Sequence, residues 1–238
     1  MKQTASPQGP DTTETFDAAA VETWIFDLDN TLYPAGSNLF DQIDRRIGEF
    51  ICDYLEVDAV AARHLQKTYF RDQGSTLRGM MLAHDLDPEP YLDYVHDIDL
   101  APVQPSPALD AALTALSGRK LVFTNASTGH AVRVIERLGV GHHFEAIFDI
   151  AAANYVPKPY VEPYRQIIAE YDVDPEAAVF FDDIARNLAP AAALGLTTVW
   201  VRGNSAWSTD EPGDSVDYVD HVTDDLATWL SDINSSNG

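Results

Sequence analysis

The chain is 238 residues long and 45% hydrophobic, and it sets 38 acidic residues against 15 lysines and arginines for a formal charge of -23. That field repels nucleic-acid backbones and anionic lipid, and no apolar run reaches the roughly 18 residues of a membrane-spanning helix, so neither a nucleic-acid polymer nor a membrane is expected as a partner. The length exceeds what one small core needs and points to a domain with an insertion or to two modest domains.

Residues 1–20 carry Ser, Thr, Pro, Gln and acids without periodicity and are expected to be a disordered lead-in. Thr12, Thr13, Glu14 and Asp17 stand where a secretory signal needs a basic end and an apolar stretch, which argues for a cytoplasmic protein. The apolar run Trp24-Ile25-Phe26 then reads as a buried strand that stops abruptly at Asp27-Leu28-Asp29. Extended backbone through Asp29 would turn both carboxylates to one side, where two like charges are costly unless a cation or a shared proton offsets them. A solvated Asp-Xaa-Asp turn is the competing reading of these residues alone.

Beyond a loop punctuated by Pro34 and Gly36, with Asn38 placed as a helix cap, apolar residues recur at three and four from Leu39 to Leu55 and predict an amphipathic helix. Cys52, the one cysteine, falls among them and is expected to be a buried structural thiol. Three more helices are predicted at 59–70, 77–84 and 90–95, with Gly74 and Pro88 at the breaks. Residues 35–102 thus form a helical insertion closed by a proline-rich segment.

After it, helices at 108–116, 129–138, 163–171 and 188–194 alternate with strands at 120–123, 146–150, 177–181 and 196–201. Such alternation indicates crossover units and a parallel sheet covered on both faces, an α/β doubly wound core. Residues 204–214 read as a polar loop and 224–230 as a short last helix, and no Gly-rich phosphate loop of either nucleotide-binding type occurs.

Ligands of an open parallel sheet bind beyond the carboxyl ends of its strands, and polar groups gather at those ends here. The second strand runs into Thr124 and Asn125, a hydroxyl and an amide that also suit an ordinary turn. Lys158 is framed by Pro157 and Pro159, a stiffening that benefits a phosphate-binding lysine more than a surface one. The fourth strand runs into Asp182-Asp183, whose repulsion and lost solvation a divalent cation resolves, although an acid at a helix start also serves as a cap.

These stretches, Asp27-Leu28-Asp29-Asn30-Thr31, Thr124-Asn125, Lys158-Pro159 and Asp182-Asp183 with Asn187, resemble the four signature motifs of the haloacid dehalogenase superfamily of phosphohydrolases. The match runs over residues 22–202 and puts the helical insertion where that superfamily carries its cap. The resemblance therefore implies a Rossmann-like core at 21–34 and 103–238 and a helical cap at 35–102. Asp27 to Pro34, Gly74 to Gly79, Val95 to Leu100 and Phe180 to Asn187 are further similar to the pyrimidine 5'-nucleotidase branch.

By that resemblance Asp27 attacks phosphorus to form an aspartyl-phosphate, and Asp29 protonates the leaving oxygen and later deprotonates water. A raised pKa, from burial and the neighbouring Asp27, is expected to keep Asp29 protonated. Magnesium is the implied cofactor, held by Asp27, Asp183 and the backbone carbonyl of Asp29, with Asp182 a direct or water-mediated ligand. Lys158, Thr124 and Asn125 take the phosphoryl oxygens. Arg78, His96 and Asp97 of the cap are the candidates for reading a uracil or cytosine edge and a ribose.

The implied partner is a small phosphomonoester, UMP or CMP, and the protein a monomer or homodimer. A phosphatase of the same fold for a sugar or glycolate phosphate, a phosphomutase, and an inactive binding protein remain open alternatives. A dehalogenase is disfavoured, because halide leaves without a proton and Asp29 supplies one.

Overall fold

The computed structural model describes residues 16–203 and 216–235. Much of the expected lead-in and the polar loop at 204–214 lie outside them. The described part of the lead-in is folded: the Asp17 carboxylate accepts from the Ala19 amide to cap a 3-10 turn over Ala18–Ala20, and Phe16 packs its ring against Trp24 and Trp229.

Strand β1 (Thr23–Phe26) is buried along its whole length and pairs in parallel with β2 (Arg119–Phe123) on one side and β4 (Ala178–Asp182) on the other. With β3 (Ala146–Phe148), β5 (Thr197–Val201) and β6 (His221–Thr223) they form a six-stranded parallel sheet in the order β3-β2-β1-β4-β5-β6. The chain works outward from β1 through β2 to β3 and then returns to β4 on the far side, so the order reverses between β1 and β4. The ligand crevice of such a sheet lies at that reversal.

Alternation along the strands supplies two cores. Trp24, Phe26, Val122 and Phe181 pack with residues of α5 (Pro107–Ala115), α6 (Thr128–Leu138) and α9 (Leu226–Ser235). Ile25, Leu121, Phe123 and Phe180 pack with residues of α7 (Val161–Glu170) and α8 (Ala185–Ala193). Helices thus cover both faces of a Rossmann-like sheet.

Between β1 and β2 the helices α1 (Leu39–Leu55), α2 (Ala59–Gln73), α3 (Thr76–His84) and α4 (Pro88–Val95), the segment expected to be the cap and so called below, surround a third core that includes Ile43, Ile51, Leu77, Met80 and Tyr91. The Asp58, Ser75 and Asp87 side chains accept from Ala61, Arg78 and Glu89 amides to start α2, α3 and α4. Asn38 does not cap α1; its backbone turns left-handed and the Ser37 hydroxyl accepts from the Leu39 amide instead. Cys52 is half-buried at the edge of this core rather than inside it.

Helices α2 and α3 approach closely at Gly79, where a methyl group would overlap the Tyr69 ring. Gly79→Ala is therefore expected to destabilise the protein by about 1–3 kcal/mol, read as a lowered midpoint of denaturant unfolding. An unchanged midpoint would mean that the two helices separate freely.

Several expected boundaries move by two or three residues, as at the end of α2 and the start of α8, and two of the shifts are instructive. The strand read at 146–150 ends at Phe148, because Asp149 turns to accept from the backbone amide and hydroxyl of Thr128 at the start of α6. The last helix begins at Leu226 and runs on to Ser235.

Candidate active site

The carboxyl edges of β1, β2 and β4 bring the predicted residues together across large sequence separations. Lys158, 2% exposed, donates from Nζ to Asp27 Oδ1 at 2.7 Å, to Asp182 Oδ2 at 2.7 Å and to the Phe123 carbonyl at 3.0 Å. All three ammonium donors are spent on the ends of three adjacent strands. Asn125, expected to contact phosphate, instead clamps the lysine's own peptide: its Oδ1 accepts from Lys158 N at 2.9 Å and its Nδ2 donates to Lys158 O at 3.4 Å. The Thr124 hydroxyl accepts from the Ala126 amide, and Thr124, Asn125 and Lys158 all line the cavity between core and cap.

The two acids of the first motif diverge. The strand ends at Phe26 and Asn30 is left-handed, so extended backbone does not reach Asp29. Asp27 turns to Lys158 and receives the Thr31 hydroxyl on Oδ2 at 3.1 Å, whereas Asp29 Oδ1 accepts from Tyr33 OH and from His130 Nε2 at 3.1 Å.

Their protonation diverges too. The Asp27 carboxyl is pushed up to about 7, by burial above all, with Lys158 pulling against it and Asp182 and Asp29 adding to the rise. For Asp29 burial also pushes upward, but the charge and hydrogen bond of His130, with the hydrogen bond of Tyr33, outweigh it and hold the group below the usual carboxylate range. The raised pKa expected for Asp29 is thus found on Asp27. Lys158 is pulled down by burial and pushed up more strongly by Asp182 and Asp27, so its charge is secure.

Carboxylate oxygens of Asp27, Asp182 and Asp183 lie within 4.8 Å of one another, a hard-oxygen set that suits magnesium. Asp182 is already engaged: Oδ1 accepts from Ile184 N and Asn187 Nδ2, both at 2.9 Å, and Oδ2 from Lys158. Asp183 is different. Its Oδ2 is buried with no hydrogen-bond partner, and burial, with Asp182 and Asp27 beside it, raises its pKa well above the usual range. An orphaned buried carboxylate oxygen is costly, and a divalent cation resolves that cost. Asp27 and Asp183 are thus the side chains fitted to hold it, with Asp182 as their brace; the Asp29 carboxylate is committed to Tyr33 and His130.

A metal must displace the proton that burial favours on Asp27. Magnesium is therefore expected to raise the melting temperature more at pH 8 than at pH 6. An equal shift at both, or a shift kept by Asp183→Asn, would count against this site.

Of the cap candidates, only His96 reaches the cavity. Its Nδ1 pairs with the Ser127 hydroxyl at 3.0 Å and burial pushes its pKa down to about 3, so the ring is neutral. Arg78 donates from Nη1 to the Tyr155 carbonyl at 3.2 Å, tying cap to core, and the Asp97 side chain is 84% exposed beside Arg46. Neither is a lining residue of the cavity. The cavity holds about 140 Å³, and its cap face is largely apolar, with Phe40, Ile43, Phe70, Leu77 and Leu92 beside Ser75 and Thr76. His130 and Tyr33 were missed; His130 lies in the first turn of the helix after Thr124-Asn125, at the same sheet edge, which was the available signal.

No described helix is long and apolar enough to cross a membrane. The protein resembles Phosphate metabolism protein 8 of Saccharomyces cerevisiae, 26% identical over 195 residues that cover 74% of this chain and only 60% of the relative. Among solved structures it resembles a HAD phosphatase from Thermococcus onnurineus (TM-score 0.59, 16% identity, 92% of this chain and 98% of the other). It also resembles CbbY from Rhodobacter sphaeroides, solved with xylulose-(1,5)bisphosphate (TM-score 0.61, 20% identity, 87% of this chain and 95% of the other). The L-2-haloacid dehalogenase PA0810 has the same fold (TM-score 0.56, 17% identity, 92% of this chain and 100% of the other). The haloacid dehalogenase-like hydrolase family model matches residues 21–195, which carry Asp27, Asp29, Lys158, Asp182 and Asp183, and the chain belongs to that family of hydrolases.

Proposed function

We propose that the protein is a magnesium-dependent phosphomonoesterase that works through an aspartyl-phosphate on Asp27. The observation that carries this reading is the convergence of Asp27, Lys158 and Asp183, with Asp183 Oδ2 buried and unpaired. In the first half-reaction an Asp27 oxygen bonds to phosphorus as the ester P–O bond breaks, and Asp29 passes a proton to the departing oxygen. In the second, Asp29 takes a proton from water as its oxygen bonds to phosphorus and the Asp27–phosphorus bond breaks.

A low Asp29 pKa suits the second half directly. A bound phosphoryl group brings like charge beside Asp29 and shifts it upward, so its protonation accompanies substrate binding. Lys158 lines the cavity beside Asp27, and an incoming phosphoryl oxygen would take one of its three donors from a present partner, with the Thr124 hydroxyl at the same edge. Asp27, Asp183 and the Asp29 carbonyl would hold magnesium, which when bound would supply screening of the phosphoryl charge.

Pyrimidine nucleoside 5'-monophosphates are the proposed substrates, supported by an apolar cap face that can pack against a planar ring and by the neutral His96 at its rim. The volume of about 140 Å³ favours a second reading, a smaller phosphomonoester such as a sugar or glycolate phosphate. Phosphate release from UMP, CMP, sugar phosphates and phosphoglycolate, with and without magnesium, decides between them. No release from any of these esters would remove the phosphatase reading.

A further inference from the structure

We infer that His130 is a positioning residue that holds the Asp29 carboxylate in line for proton transfer to the leaving oxygen. This rests on the reading of Asp29 as proton donor. His130 lies in the first turn of α6, fully buried, and reaches Asp29 from 101 positions away in the chain.

Its orientation is set by its surroundings. A carboxylate oxygen only accepts, so Nε2 donates to Asp29 Oδ1, while the buried Nδ1 has no hydrogen-bond partner. The ring is backed by His96, stacked on it at 4.5 Å between centroids and 16° between planes. His96 is in turn fixed by the Ser127 hydroxyl at 3.0 Å and by its own carbonyl, which accepts from Arg133 Nη2 at 2.6 Å.

Both donors to Asp29, Tyr33 and His130, land on the same oxygen. Among the described residues, Oδ2 accepts nothing, and Asp29 lines the cavity that receives the leaving group. The arrangement pins one carboxyl oxygen and leaves the other for the substrate. Because His96 comes directly after α4 at the end of the cap, the cap's seat on the core also supports the proton donor. A buried histidine with one unpaired nitrogen is poor stabilisation if packing is its whole purpose.

The test exploits leaving groups. Phenyl phosphate and p-nitrophenyl phosphate are alike in shape, but nitrophenolate departs without help whereas phenolate benefits from a proton. The ratio of their kcat/KM values reports only steps up to leaving-group departure, and a partly unfolded fraction cancels in it. His130→Leu, which keeps bulk without a donor, is expected to lower kcat/KM for phenyl phosphate by about 100-fold and that for p-nitrophenyl phosphate by no more than about threefold. His130→Gln, whose amide nitrogen lies at the reach of Nε2, is expected to restore most of the loss.

Should the leucine variant not fold, the same ratio is read on His130→Asn, whose amide falls short of Asp29. Equal losses on the two esters, or no loss, would overturn the inference while leaving the phosphatase reading intact. A wild-type protein inactive on both esters with magnesium would remove that reading itself.

Discussion

Asp27→Asn is expected to lower turnover of every phosphomonoester by about 10,000-fold or more, because it removes the atom that bonds to phosphorus rather than a group that assists. The substitution is nearly isosteric: the amide oxygen would keep Lys158, and the amide nitrogen would face the Thr31 hydroxyl, which can turn from donor to acceptor, so the fold is expected to stand. Two measurements check it together: phosphate release at saturating substrate, and acid-quenched trapping of a phosphorylated protein from wild type but not from the variant. Turnover within tenfold of wild type, as an order of magnitude, would mean that the nucleophile is elsewhere.

Lys158→Met is expected to cost stability as well as activity. The ammonium is shared between Asp27 and Asp182, all three side chains are buried, and removing the cation leaves two carboxylates facing each other in a poor solvent for charge. Breaking such a buried pair costs about 3–5 kcal/mol, to be read from denaturant unfolding of the metal-free protein near neutral pH. The pH dependence has a definite sign. Burial lifts Asp27 to about 7 even against the pull of Lys158, and without the lysine the group moves higher, so as the pH falls the carboxyl takes up a proton and its repulsion with Asp182 is relieved. The deficit of the methionine variant is therefore expected to shrink between pH 8 and pH 5, and magnesium is expected to offset part of it at pH 8. A deficit independent of both pH and magnesium would mean that the lysine contributes packing alone.

The elements were legible where a local pattern decides them. Leu39–Leu55 forms the helix its apolar spacing predicts, and alternation of strands and helices after residue 102 does produce a parallel sheet wound on both faces. Strand β6 was not legible, since three residues, His221–Thr223, carry no period and become a strand only by pairing with β5. The strand read through Ile150 lost its end to a side-chain bond from Asp149 to α6, which no pattern in residues 146–150 announces.

Sequence alone determined the fold class and the set of acids, lysine and threonine at the strand ends, because strand polarity dictates that the residues just past each parallel strand meet at one edge. Which of those residues face one another was decided by the tertiary structure. The strand stops at Phe26, ahead of both acids, so Asp27 turns to Lys158 and Asp29 to His130, and the raised carboxyl pKa goes with burial and neighbours and falls on Asp27 instead of Asp29. Asn125 likewise ends on a peptide rather than toward the substrate, and Arg78 and Asp97 on other partners, since a polar side chain satisfies the nearest group that packing presents. Chain order fixes which groups reach the edge; distance and desolvation, set only by packing, fix what each one does there.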